Sequence, residues 1–357
     1  MWMPPMLAGK GAFMVDTLQV HEVPIVLQRV VRDSTGLTEL HVLSTSWADA
    51  VENANIFCSR WSCSPSALRS LAEQLEEVQT GLAGGQRRGS GGREQLNLAK
   101  FLFPECPKSF WEERGEGVEE QQISVVVPSH NHAPFVVTAL LSLNESARYM
   151  WERRCKDGGR CLPVEVLVVD DASTDETSRR VAEFQQRCQL TSSRWMRVRS
   201  VRNKRRLGAA RSRNIGVEES TGNFILFLDA DDIVLQGHLL LLAAAIASNS
   251  SFLAVRSRIQ LWDAEAGRSL MEEVSWRWKE AIERGAPTNL VVRKEAHQCV
   301  GGFPADLPRG EDMVYAQKIE LLASHVGGVL AKVQEETVRY NRRAGNSLDR
   351  QRDKFAV

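Results

Sequence analysis

The apolar residues of this chain fall into two patterns, and the change between them lies near residue 120. Three apolar runs, 123–127, 164–169 and 224–228, are interrupted only by Ser124 and Glu165, and the first two are rich in β-branched residues. Such runs predict strands buried on both faces, as parallel sheets require. Residues 196–201 predict one more strand. Between these runs the apolar positions repeat at helical spacing. Val136, Ala139, Leu140 and Leu143 mark one helix face, residues 174–188 a second helix capped by Ser173 or Thr174, and residues 207–219 a third. Residues 239–247 are apolar on nearly every side, which predicts a helix packed between layers. Strand alternating with helix predicts a right-handed, doubly wound α/β sheet.

Upstream the plan differs. Residues 23–31 and 37–44 predict two strands joined through Asp33-Ser34-Thr35-Gly36. Leu68, Leu71, Leu75 and Val78 predict a helix, and residues 81–92, with Gly84, Gly85, Gly89 and Gly91, a flexible basic linker. No chemistry is legible there.

Composition adds limits. Lys plus Arg and Asp plus Glu number 45 each in 357 residues, so no global attraction to nucleic acid is implied. Seven cysteines without tight spacing argue against a disulfide framework. Cys155 and Cys161 could pair across a loop, but free thiols are the expected state. The longest apolar run, 239–247, is too short to span a bilayer, and residues 1–15 do not read as a secretory signal. The expectation is a soluble, cytoplasmic protein with no transmembrane segment, peripheral to a membrane at most.

Chemistry gathers where the strands end. Residues 123–127 run into Pro128-Ser129-His130-Asn131, residues 164–169 into Asp170-Asp171, and residues 224–228 into Asp229-Ala230-Asp231-Asp232. Open parallel sheets bind ligands beyond the carboxyl ends of their strands. That crevice would hold five carboxylates with no obvious neutralising cation, which predicts a divalent metal, Mg²⁺ or Mn²⁺. No Gly-x-Gly-x-x-Gly or Gly-Lys-Ser/Thr loop follows any strand, so a diphosphate is not expected on a helix N-terminus. A metal held by the 229–232 acids would do that work. The plainer alternative is an acidic, solvated turn. Asp170-Asp171 alone also fits a phosphoacceptor receiver domain, whose length and later acceptor do not match this chain.

Together with Gly208-Ala209-Ala210-Arg211-Ser212-Arg213-Asn214-Ile215-Gly216, these segments resemble the successive motifs of family 2 glycosyltransferases. The resemblance covers about residues 121–345. It implies the GT-A fold, a Rossmann-like, mostly parallel sheet flanked by helices, and a nucleotide-diphosphate sugar as donor. It implies that Pro128, Ser129, Asn131 and Asp171 meet the nucleoside. Arg213 would approach the base or diphosphate, Asp229 the ribose, and Asp231 with Asp232 the metal. The implied organisation is an N-terminal extension over 1–80 and a linker with lead-in over 81–120. A donor-binding half over 121–235, an acceptor-binding half over 236–345 and a tail over 346–357 follow.

Gly301-Gly302-Phe303 followed by Arg309-Gly310-Glu311-Asp312-Met313 is similar to the family's Glu-Asp motif and places Asp312 on its catalytic base. In the first turn of a helix the dipole favours an ionised carboxylate, the form a base needs. A plain capping acid is the alternative. Glu311 and Trp276 are candidates for the acceptor side, the latter by stacking on a sugar. Trp278 shares a helical stripe with Met271, Val274 and Ile282 and is expected in the core.

Arg211 and Arg213 stand two apart on a helix, so at most one can face the donor. Tyr340-Asn341-Arg342-Arg343 resembles the family's closing segment, with Arg343 where His is usual. The Gln-x-x-Arg-Trp motif of processive synthases is missing, since Gln189 and Arg194-Trp195 have the wrong spacing. The implied activity is metal-assisted, inverting transfer of one sugar, from a UDP-sugar foremost, to a hydroxyl on a glycan, lipid or protein. A non-catalytic nucleotide-sugar-binding protein and a nucleotidyltransferase are the alternatives. The second would need a Gly-rich loop that Pro128 to Asn131 does not supply.

Overall fold

A computed structural model describes residues 27–32, 38–42, 106, 122–154, 163–271, 276–307 and 310–342. The chain divides into two compact units, Met1–Glu105 and Cys106–Val357. In the first, β1 (Leu27–Arg32) pairs antiparallel with β2 (Thr38–Val42), with an irregularity between Gln28 and Val31. This is the predicted pair of strands. The helix and linker expected between residues 68 and 92 lie outside the described residues.

The second unit is built on one nine-stranded sheet. Its first half is parallel and follows the predicted runs: β3 (Ile123–Ser129), β4 (Val164–Asp170), β5 (Met196–Arg202) and β6 (Phe224–Phe227). Every residue of β3, β4 and β6 is buried, because helices cover both faces. The connecting helices are α1 (Val136–Arg154), α2 (Thr177–Thr191) and α3 (Ala209–Glu219). The register aligns Ser129 with Asp170, so the two motifs end side by side, and the Asp171 N–H donates to the Ser129 carbonyl at 2.8 Å.

The second half is mixed. It contains β7 (Ile233–Val234), α4 (His238–Ala247), β8 (Phe252–Asp263), β9 (Arg268–Ser269) and α5 (Trp276–Gly285). Then come β10 (Leu290–Arg293), α6 (Lys294–Cys299), α7 (Glu311–Val326) and β11 (Val329–Arg342). The strand order is β5-β4-β3-β6-β10-β8-β11-β7, with β9 paired to β8. β10 runs antiparallel between β6 and β8, while β11 returns parallel to β8. A parallel half ending in acidic motifs, joined to this mixed half, is the α/β GT-A plan expected. No helix among the described residues is long and apolar enough to cross a membrane.

Three expectations need correction. Helix α2 begins at Thr177, three residues late: Glu176, not Ser173 or Thr174, stands at its N-cap position, and the side chain of Asp175 just before it holds Thr177. Asp175 accepts the Thr177 N–H at 2.9 Å and the Thr177 hydroxyl at 2.5 Å. Helix α4 is not enclosed between layers. Leu239, Leu242, Ala243 and Ile246 face the core, while Leu241 is half-buried and Ala244 exposed. Nor are the cysteines all free thiols, for Cys106 is bonded to Cys299. Partners 193 residues apart leave no trace in local spacing. Cys188 is free and buried, and Cys155 and Cys161 lie outside the described residues.

Candidate active site

The site grows from the carboxyl ends of β3, β4 and β6, from the start of α3 and from the start of α7. Asp171 follows β4 and is 3% exposed. Its Oδ1 accepts the Asn203 side-chain amide and the Leu207 N–H, both at 2.8 Å, and its Oδ2 accepts the Gly208 N–H at 2.8 Å. Gly208 takes φ +91°, a backbone conformation few side chains tolerate, and opens α3. Three of the roughly four acceptor positions of this carboxylate are therefore filled by protein. Asp170 is likewise committed. It accepts the Ser173 N–H at 2.8 Å, the Ser178 hydroxyl and the guanidinium of Arg202. The cation that sequence left unassigned is Arg202, supplied by the end of the neighbouring strand.

Pro128 is buried within β3. The Ser129 hydroxyl, on a residue 2% exposed, has no hydrogen-bond partner. Asn131 takes φ +56°, and its Oδ1 accepts the Thr174 N–H at 2.8 Å and the Thr174 hydroxyl at 3.3 Å. Its visible contacts thus tie the two strand-end loops together.

A second group meets at the other side. Arg213 of α3 is 4% exposed and donates through Nη2 to Asp229 Oδ1 at 2.7 Å. Its Nη1 lies 3.7 Å from Glu311 Oε1, and its guanidinium stands 5.2 Å from the centre of the Phe303 ring. Nε and Nη1 of Arg213 make no hydrogen bond. Asp229 and Glu311 side chains are 25% and 24% exposed, so this face is open. Burial works to lower the Arg213 pKa, but Asp229, Glu311 and Asp312 outweigh it and hold the group above its ordinary value.

Asp312 stands in the first turn of α7 beside Glu311. The helix dipole was expected to keep it readily ionised. Instead its pKa is raised, first by burial and then by the Glu311 charge, with Asp229 adding to both. Arg213 and the Met313 N–H, at 2.8 Å from Asp312 Oδ1, oppose this without cancelling it. Arg213 of α3, Asp229 after β6, and Glu311 and Asp312 of α7 therefore form one electrostatic group from three elements.

The four-residue acidic turn after β6 splits its roles. Asp231 is half-buried, and its carbonyl accepts the Asn341 amide at 2.8 Å. Asp232 is 3% exposed and accepts the Asn341 N–H at 2.9 Å, so it anchors the turn to β11. A divalent ion was tested against the residues present. No three His, Cys, Asp or Glu side chains among the described residues could hold one unaided. Mg²⁺-like ions are commonly held by one or two carboxylates plus substrate phosphates. Asp231 beside the open Asp229 fits that arrangement.

Arg211 lies on the exposed side of α3, 3.5 Å from Asp306, so only Arg213 of the pair enters the site. Trp276 opens α5, but its side chain and that of Trp278 lie outside the described ones, as do residues 343–347. Sequence reasoning missed the amides Asn203, Asn214 and Asn341. The visible signal was position, directly after β5, beside Arg213 and before Arg342, which hydropathy cannot register.

Residues 124–301 match the model of Glycosyl transferase family 2. The dolichyl-phosphate beta-glucosyltransferase of Mus musculus is 38% identical over 113 residues, 31% of this chain and 31% of its own. The UDP-Glc:alpha-D-GlcNAc-diphosphoundecaprenol beta-1,3-glucosyltransferase WfgD of Escherichia coli is 27% identical over 137 residues, 38% of this chain and 46% of its own. The crystal structure of S. aureus TarS 1-349 in complex with UDP-GlcNAc has a TM-score of 0.48 at 20% identity, covering 63% of this chain and 60% of that one. This chain spans less than half the length of these two curated relatives. Through residues 124–301, the chain belongs to glycosyl transferase family 2.

Proposed function

We propose that this chain moves a single sugar from a nucleotide-diphosphate sugar, a UDP-sugar foremost, to an acceptor hydroxyl with inversion at the anomeric carbon. What carries the reading is the meeting of Arg213, Asp229, Glu311 and Asp312 in one partly open group. Asp312 takes the proton from the attacking hydroxyl. Its raised pKa suits that task, because a base works best when its pKa approaches the working pH. Arg213, with Nε and Nη1 unfilled, has donors to spare for a diphosphate oxygen. The unpartnered Ser129 hydroxyl and the remaining acceptor position of Asp171 serve the nucleoside. A Mn²⁺ or Mg²⁺ ion at Asp231 and Asp229 would supply charge stabilisation to the departing diphosphate.

The acceptor is a hydroxyl on a glycan, lipid or protein. Similarity to enzymes named for dolichyl-phosphate and diphosphoundecaprenol substrates favours a lipid-linked one. Screening nucleotide sugars for thermal stabilisation, with and without Mn²⁺, tests the donor half. A ligand at about 100 times its Kd adds about 2.7 kcal/mol. Asp231→Asn should abolish the Mn²⁺-dependent part of that shift, whereas Asp312→Asn should leave it intact. Equal loss in both variants overturns this division of labour.

A further inference from the structure

Arg213 and Asn214 are neighbours on α3, yet only the first faces the charged group. Asn214 turns to the loop between α6 and α7. Its Nδ2 donates to the Phe303 carbonyl and its Oδ1 accepts the Phe303 N–H, each at 2.8 Å, across 89 residues of sequence. Both backbone polar groups of one residue are thus held by one amide. The preceding Gly302 takes φ +70°, and a Cβ there would stand 2.6 Å from Asn214 Oδ1. The loop is shaped around this side chain.

Phe303 in turn links the elements of the site. Its ring is 1% exposed, lies under the Arg213 guanidinium and stacks on Tyr315 with centroids 3.9 Å apart. Tyr315 belongs to α7, three residues beyond Asp312, and shares a hydrogen bond with His297 at 2.8 Å. Phe227, at the end of β6, meets the Phe303 ring edge-on at 5.1 Å. One ring therefore touches the helix of the diphosphate arginine, the strand of the acidic turn and the helix of the base.

We propose that Asn214 is a positioning residue that sets the separation between the Arg213–Asp229 pair and Asp312. The proposal rests on the transferase reading above. Asn214 itself reaches neither donor nor base; it acts through Phe303. Proximity makes such a role large, since a displacement of about 1 Å costs on the order of a hundredfold in rate.

The test compares Asn214→Ala, Gly302→Ala and the double variant in the full chain. Turnover, UDP affinity and backbone hydrogen exchange over residues 300–303 are measured for each. Both single variants should lose about tenfold or more in kcat and keep near-normal UDP affinity, while exchange at Phe303 rises. The double variant should lose less than the product of the two single losses, because alanine at 214 removes the Oδ1 clash at 302 while the φ strain there stays. UDP affinity falling in step with kcat, or losses that multiply in the double variant, overturns the positioning role. Unchanged exchange in Asn214→Ala overturns the clamp, and with it the positioning role that acts through Phe303. A wild-type chain that turns over no nucleotide sugar instead overturns the transferase reading, and the role with it.

Discussion

One set of carboxylates ends and follows β4, the other joins the turn after β6 to the start of α7, and the two live differently. Asp170 and Asp171 each accept three bonds from protein donors, and Asp170 is also paired with Arg202. Asp229, Glu311 and Asp312 share one buried arginine, two of whose nitrogens make no bond. A satisfied carboxylate is a framework element that holds loops in place. An undersupplied one raises the energy of the empty site, and a ligand that brings charge of its own can lower it. The first set holds the crevice together, and the proposed transfer assigns the second to the reacting centre.

The sharpest way to break this contrast is Asp312→Asn. Transfer should fall by about a hundredfold or more, with UDP affinity retained in a titration. Stability should move the other way. The folded-state pKa of Asp312 is raised above its unfolded value, so its ionised form costs stability at neutral pH, a cost relieved on protonation. A neutral asparagine removes that cost, and Tm at pH 7 should rise. A fall in Tm together with lost activity would place Asp312 in the framework set.

Asp171→Asn probes the other side. An asparagine cannot accept all three N–H groups, and its own amide would face a donor. The loss should be about 2 kcal/mol of stability, read from a denaturant midpoint. If stability holds and only nucleotide affinity falls, Asp171 belongs with the ligand-facing acids.

The pH dependence sharpens the comparison further. Because Asp312 must be ionised to act, activity should fade as pH drops through its raised pKa. That limb lies above the ordinary aspartate range. A rate profile flat down to that ordinary range would show that burial and Glu311 do not govern the base. The smallest effect is expected at Arg211→Ala. This residue is paired at 3.5 Å with the well-exposed Asp306, so stability should stay within about 0.5 kcal/mol and turnover should be unchanged.

Much of the fold and of the site is legible in the chain itself. Residues 123–127, 164–169 and 224–228 form buried strands because near-continuous apolar runs have no polar face to offer water, and their two polar members, Ser124 and Glu165, bond to each other. Asp312 stands at a helix start, as the glycine and acids before it announced. Arg213 rather than Arg211 enters the site, as two residues set apart on a helix must divide. Other features were not legible. The β10-β8-β11 half of the sheet mixes directions, and hydrophobic pattern carries no direction. Sequence shows the Asp232 carboxylate but not the Asn341 N–H, 109 residues away, that donates to it.

The sequence by itself determined which segments are strand or helix, and that acids cluster at strand ends, because periodicity and local composition are properties of neighbours along the chain. Tertiary structure alone decided which acids are spent and which are free to work. It chose Arg202 for Asp170, Arg213 for Asp229, Asn214 for Phe303 and Cys106 for Cys299. A charge, an amide or a thiol is satisfied by whatever the fold brings within about 3 Å, and partners 16 to 193 residues apart cannot be read from either end.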